Sequence, residues 1–178
     1  MYNQSLVASL ISNLGIANTE LWAKKLVNNF ARTPQGNDRS QLMAVANGLA
    51  DLAIANTYYI GIMLAGKGGQ DQLEAANKLK IAFPNQDNRG AHVNISGGGI
   101  LKHAPNKDNA EKFLEFLLSE EAQTHIVNNS FEYPVIESIS PHPIIESFGE
   151  FKMDKTSVAD FGKFNPDAVK LMDRAGWK

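Results

Sequence analysis

The chain has 178 residues, enough for one sizeable hydrophobic core and too few for a large multidomain architecture. Apolar residues make up 43% and charged residues 20%, which excludes disordered, collagenous and membrane-embedded classes. With 17 Lys and Arg against 19 Asp and Glu, the net charge is −2 and no basic stripe is available to neutralise a nucleic-acid backbone, so no nucleic-acid partner is expected. The absence of cysteine removes disulfides, thiolate metal sites, iron–sulfur clusters and cysteine nucleophiles together. Any metal must therefore be held by oxygen or imidazole. No stretch is long and apolar enough to span a bilayer, so no stable membrane insertion is expected.

In chain order, Leu6, Val7, Leu10, Ile11 and Leu14 recur at helical spacing and predict a helix over residues 4–14. It starts almost at the first residue, which suggests truncation of a longer domain. Asn18 or Thr19 is the expected cap of a second helix reaching Phe30, with Trp22 as a core anchor. Pro34 and Gly36 mark a loop, and Asp38 with Gln41 forms a capping-box pattern that opens a third helix to about Asn47, closed by Gly48. The apolar run 52–55 reads as a buried strand that delivers Tyr58 and Tyr59 at its end. Residues 60–66 and 71–79 read as short helices, 80–84 as a strand, and 85–90 as a polar turn. Residues 91–96 alternate with period two and lead through Gly97-Gly-Gly to a second strand at Ile100-Leu101.

Residues 107–118 carry Ala110, Phe113, Leu114, Leu117 and Leu118 on one helical face, and Ser119 followed by two glutamates caps the next helix. Pro134, Pro141 and Pro143 predict irregular backbone. A last helix is expected to start with Asn165 as cap and Pro166 at its first position, with Trp177 as a second core anchor. Helices alternating with short apolar strands predict an α/β fold.

Tyr58 and Tyr59 are the candidate chemistry-bearing pair, because phenol oxygens are hard donors suited to a hard, highly charged cation such as ferric iron. A free phenol titrates near about 10, so ionising it at neutral pH requires a strong local positive charge, which a trivalent metal supplies. Packing with hydroxyls bonded to backbone is the commoner fate of such a dipeptide. The four histidines, His92, His103, His125 and His142, include no pair at i, i+3 or i+4, which excludes a helix-face zinc site. Ser96-Gly-Gly-Gly lacks the Lys-Ser/Thr of a phosphate loop and reads as a flexible crossover. No Gly-x-Ser-x-Gly elbow supports an esterase, and no carboxylate or histidine cluster supports a metal-dependent hydrolase. The expectation is a binding module and not an enzyme.

Three segments together resemble a known family: Tyr2-Asn-Gln-Ser-Leu-Val-Ala-Ser-Leu-Ile; Asp51-Leu-Ala-Ile-Ala-Asn-Thr-Tyr-Tyr; and His92-Val-Asn-Ile-Ser-Gly-Gly-Gly-Ile followed by Lys107-Asp-Asn-Ala-Glu-Lys-Phe-Leu-Glu-Phe-Leu. In this order they resemble the C-terminal half of the ferric-iron-binding proteins of bacterial iron(III) ABC transporters, in the tyrosine-rich, cyanobacterial-like type. The resemblance implies that Tyr58, Tyr59 and Tyr2 bind Fe(3+), three phenolates balancing the trivalent charge. Asn56 matches a position near a synergistic anion in some relatives, whereas Tyr133 falls in a segment that resembles structure and not ligand.

The same resemblance implies a type II periplasmic-binding-protein fold, mostly its C-terminal lobe plus part of the returning first lobe. Residues 1–91 would belong to the second lobe, 92–140 to the crossover and returning first lobe, and 141–178 to a tail packing back on the second. It implies delivery of iron to ABC transporter permease subunits in the periplasm, with a signal peptide upstream of this sequence. Apolar helix faces such as Phe113, Leu114 and Leu117 would be left uncovered, so self-association is expected. A related fold binding a small organic anion or polyamine is the alternative reading, and a nonfunctional remnant is a third.

Overall fold

The computed structural model describes residues 2–177. Within them the chain forms α1 (Tyr2–Asn28), α2 (Asp38–Ala46), α3 (Thr57–Leu64), α4 (Gln70–Ala76), α5 (Lys107–Phe116), α6 (Glu120–Ser130), α7 (Pro143–Glu146) and α8 (Val158–Ala175). By Cα proximity it divides into two compact units. The first contains the residues up to Thr33, Ala82–Ser96 and those from Phe151 on; the second contains Pro34–Ile81 and Gly97–Glu150. The division between Ser96 and Gly97 falls at the glycine run.

The first unit is built on α1 and α8. Val7, Ala8, Ile11 and Ala23 of α1 meet Ala168, Leu171 and Ala175 of α8 in one buried cluster, and Trp177 closes it. Both expected tryptophan anchors are placed here, Trp22 and Trp177 lying 5.9 Å apart between ring centroids. At the surface of the pair, Arg174 donates to Glu20 at 2.6 Å. The two helices expected at 4–14 and 18–30 are two arms of α1 broken at Gly15, whose φ of 76° and ψ of 164° are not helical. Asn18 and Thr19 do not cap the second arm. Their side chains donate backwards, to Leu14 O at 3.0 Å and Gly15 O at 2.8 Å, and so satisfy carbonyls that the break leaves over.

Two further expectations are corrected in this unit. The final helix starts at Val158, with Ser157 as its cap and Pro166 inside it, and not at Pro166. Its Ala168, Leu171 and Ala175 stripe packs on α1, and that burial outweighs the one helical hydrogen bond that proline removes. Residues 91–96 form no strand ladder. Ala91 alone makes a parallel bridge to Met153, its N–H donating to Lys152 O and its carbonyl accepting from the Asp154 N–H, both at 2.8 Å.

The second unit gathers α2, α3 and α4 around Leu42, Ile60, Met63, Ala75 and Ala76. The true N-cap of α2 is Asn37, one residue before the expected Asp38. Ser119 caps α6 as expected, accepting from the Ala122 N–H. Gln123, buried, then clips the following segment by donating to Leu117 O and accepting from the Val135 N–H. Helix α3 is fixed from behind by Phe131, whose ring Lys67 covers at 4.8 Å. Gly61 is required there, since a Cβ would come within 2.9 Å of the Phe131 Cβ and 3.0 Å of Ile145.

The α/β expectation is not met by paired strands. Among the described residues the single bridge is the only β-pairing, and 52–55, 80–83 and 92–96 form no strand. A strand persists as sheet only where a neighbour supplies complementary N–H and C=O groups, and the described residues offer none to 52–55. That run is also not buried on both faces: Ala53 and Ala55 pack on the α2–α4 core, while Leu52 is 87% and Ile54 54% exposed.

Candidate metal centre

The tyrosine pair sits in the first turn of α3. Asn56 precedes it in extended conformation, with φ −74° and ψ 143°, and is the N-cap by backbone alone, its side chain making no cap bond. What fixes Asn56 is Asp38, whose carboxylate accepts from the Asn56 N–H at 3.0 Å. Asp38 therefore ties the start of α2 to the start of α3, a role that capping logic misses because Asn37 takes the cap. Two adjacent cap-type residues, Asn37 and Asp38, are the sequence signal that could have revealed it.

Side chains of a helix lean toward its N-terminus, so Tyr58 and Tyr59 lean back past the start of α3. Their rings lie 4.2 Å apart between centroids at an interplanar angle of 34°. Both are half-buried, and Tyr59 also packs on the unit's core. Two phenols brought together on one helical turn offer two hard oxygen donors, and a multivalent cation bound there would favour their ionised forms. The positive end of the α3 dipole adds in the same direction. The structure thus brings Tyr58 and Tyr59 together. Tyr2, the first residue of α1 and 44% exposed, belongs to the other unit.

Tyr133 has a buried hydroxyl, and desolvation pushes its phenol above the ordinary value, which favours the neutral form. Among the described residues no group of three or more His, Asp or Glu is placed to hold a metal ion. The histidines have other surroundings: His142 caps α7, its Nδ1 accepting from the Ile144 N–H at 3.1 Å, and His92 packs edge-on against Phe161. Neither of two surface grooves, of about 420 and 570 Å³, is lined by the tyrosine pair.

Asp154, in the first unit, is the most densely hydrogen-bonded carboxylate. Burial alone would raise its pKa, but the Thr156 hydroxyl and N–H, the Ser9 hydroxyl and the Arg89 charge more than reverse this and hold it below the usual carboxylate range. It anchors α1 to the segment that bridges Ala91, a structural role.

Comparison with known proteins places these features. The model of the bacterial extracellular solute-binding protein family matches residues 5–124. Iron uptake protein A1 of Synechocystis sp. is 50% identical over 99% of this chain and 49% of its own length, and the major ferric iron-binding protein of Neisseria meningitidis is 30% identical over 97% of this chain and 50% of its own. The chain spans about half the length of the curated relatives it matches. Among solved structures, a Trichodesmium IdiA/FutA protein in complex with iron and citrate superposes with a TM-score of 0.91 at 50% identity, over 99% of this chain and 56% of that one. A ferric binding protein from Campylobacter jejuni gives 0.96 at 40% identity, with the same coverage of both chains. No described helix is long and apolar enough to cross a membrane.

Proposed function

The chain belongs to the bacterial extracellular solute-binding protein family, and from that premise we propose that it captures ferric iron through tyrosinates for delivery to the permease subunits of a periplasmic ABC importer. Tyr58 and Tyr59 are the proposed central ligands, with Tyr2 as a third. The observation that carries this reading is the side-by-side placement of two phenols at the start of α3, in a chain with no cysteine and no clustered carboxylates or imidazoles among its described residues. The names of the relatives, iron uptake and ferric iron-binding proteins, support the same cargo.

Three phenolates would cancel the charge of Fe(3+), and hard anionic oxygen is the donor class that ferric iron prefers. Protonation of the phenolates, reduction of the metal or a competing chelator would each weaken the bond and allow release. The chain performs no reaction on its cargo in this reading. The Trichodesmium relative was seen with citrate as well as iron, and Asn56, whose side chain caps nothing, is the proposed neighbour of such an anion here.

Titration of the purified chain with ferric citrate tests the proposal. A visible phenolate-to-iron charge-transfer band should grow to saturation and disappear in Tyr58→Phe/Tyr59→Phe. A folded chain that develops no band, or whose band survives the double substitution, would refute tyrosinate capture by this pair and favour an organic ligand for the same fold.

A further inference from the structure

The first turn of α3 is held from outside its own helix. Among the described residues 52–55 form no strand, so no sheet ladder sets the point at which α3 begins. Its later turns are packed, Ile60 and Met63 being buried in the α2–α4 core and Gly61 lying against Phe131 and Ile145. Tyr58 and Tyr59 sit ahead of that packing and are half-buried. Asn56, the N-cap, contributes no side-chain cap bond. The start of the helix is secured from α2 instead: the Asp38 carboxylate accepts the Asn56 N–H at 3.0 Å in a partly buried bond, while the Asn56 carbonyl accepts the Tyr59 N–H at 3.2 Å. Asn56 is thus gripped on both sides, by Asp38 and by the backbone of the tyrosine pair.

Asp38 is suited to this role because its own helix does not need it. Asn37 caps α2, its side chain accepting the Ser40 N–H, and leaves the Asp38 carboxylate to reach a residue 18 positions further on. As the first residue of α2 it stands at that helix's positive end, and through Asn56 it meets the positive end of α3 as well. Both ends favour a charged acceptor, and a bond to an ionised carboxylate is stronger than a neutral one. We infer that Asp38 is a positioning residue for ferric capture: without being a ligand, it fixes the first turn of α3 so that the Tyr58 and Tyr59 oxygens converge on one ion. The inference rests on the tyrosinate reading and adds to it a residue outside the ligand set. Ligand oxygens must be held to within about 0.5 Å of the productive geometry, so an anchor two residues ahead of Tyr58 acts on affinity.

Three variants of the chain are compared in the ferric citrate titration. Asp38→Ala removes the acceptor, Asp38→Asn keeps an acceptor oxygen for the Asn56 N–H without the charge, and Asn37→Ala removes the α2 cap while leaving the tie to α3. Asp38→Ala should keep the phenolate-to-iron band but shift its maximum, as the phenolates sit differently on the metal, and should weaken iron binding about tenfold, the size of one hydrogen bond to a charged acceptor. Asp38→Asn should recover most of that affinity and the band position, whereas Asn37→Ala should lower the melting temperature and leave both unchanged. In iron-free buffer, hydrogen exchange at the Asn56 amide should quicken about tenfold in Asp38→Ala and stay near the wild-type rate in the other two. Helical circular dichroism at the wild-type level shows that each variant is folded. Wild-type affinity and band in a folded Asp38→Ala, an Asp38→Asn as weak as Asp38→Ala, or an equal loss in Asn37→Ala would each overturn the inference while leaving tyrosinate capture intact. A folded wild-type chain that develops no band overturns the tyrosinate reading itself, and the inference with it.

Discussion

Helices α5 and α8 carry similar amphipathic patterns and meet opposite fates. Along α8, Ala168, Leu171 and Ala175 lie at i, i+3 and i+7 and are sealed against α1; along α5 and its C-cap, Ala110, Phe113 and Leu117 hold the same relation and none is buried. Periodicity specifies which face of a helix is apolar. It does not specify what covers that face, because the partner is chosen by tertiary structure and can lie far away in sequence, as α1 does from α8. The two helices thus separate what local sequence encodes from what only packing supplies.

The largest effect that would break this comparison is on core packing. Leu171→Ala should destabilise the first unit by about 2–5 kcal/mol through a cavity between α1 and α8. Phe113→Ala should change stability by about 0.5 kcal/mol or less, since an exposed ring loses little on truncation. Urea denaturation followed by circular dichroism measures both, and equal losses would show that α5 is as well packed as α8.

A smaller effect sharpens the link between packing and site. Gly61→Ala places a methyl within 2.9 Å of the Phe131 Cβ, so α3 must shift and stability should fall by about 1–3 kcal/mol. Because Tyr58 and Tyr59 are on the same short helix, tyrosine fluorescence should move with it. A stability change without a spectral one would uncouple the pair from the packing behind α3.

The smallest effect concerns Asp154. Its folded-state pKa lies below the value in an unfolded chain, so it contributes stability above about 4 that is lost as pH falls through the folded pKa. Asp154→Asn should cost about 1 kcal/mol at pH 7 and progressively less as pH falls through the folded-state pKa, flattening the acid limb of the stability profile. Melting temperatures across that range decide it, and an unchanged acid limb would assign the pH dependence elsewhere.

Much of this arrangement was legible in the residues. Ser119 before two glutamates, the start of α5 at Lys107 and the core placement of Trp177 all follow from local rules. The family resemblance carried by three segments agrees with the family model and the relatives found. What escaped was set by distant partners. Gly15 breaks α1 although its neighbours are helical on both sides, and Pro166 stays inside α8 because the α1 interface holds that helix together. The run 52–55 looks like a buried strand but has no neighbour to pair with, and Asp38 serves Asn56, 18 residues on, and not its own helix. The Tyr58-Tyr59 dipeptide was visible as a candidate, while its ring geometry and the carboxylate that steadies its helix required coordinates.

The first unit is assembled from three stretches of chain separated by long excursions, with the Ala91–Met153 bridge and the α1–α8 interface among its closing contacts. A polypeptide leaving the ribosome therefore carries Val7 and Ile11 uncovered until Leu171 has been translated and has emerged. Contacts between such distant residues form late, because the intervening loop must be closed first. During synthesis α1 is an unsatisfied apolar helix until α8 follows it out, and a segment exposed in that way is prone to non-native association.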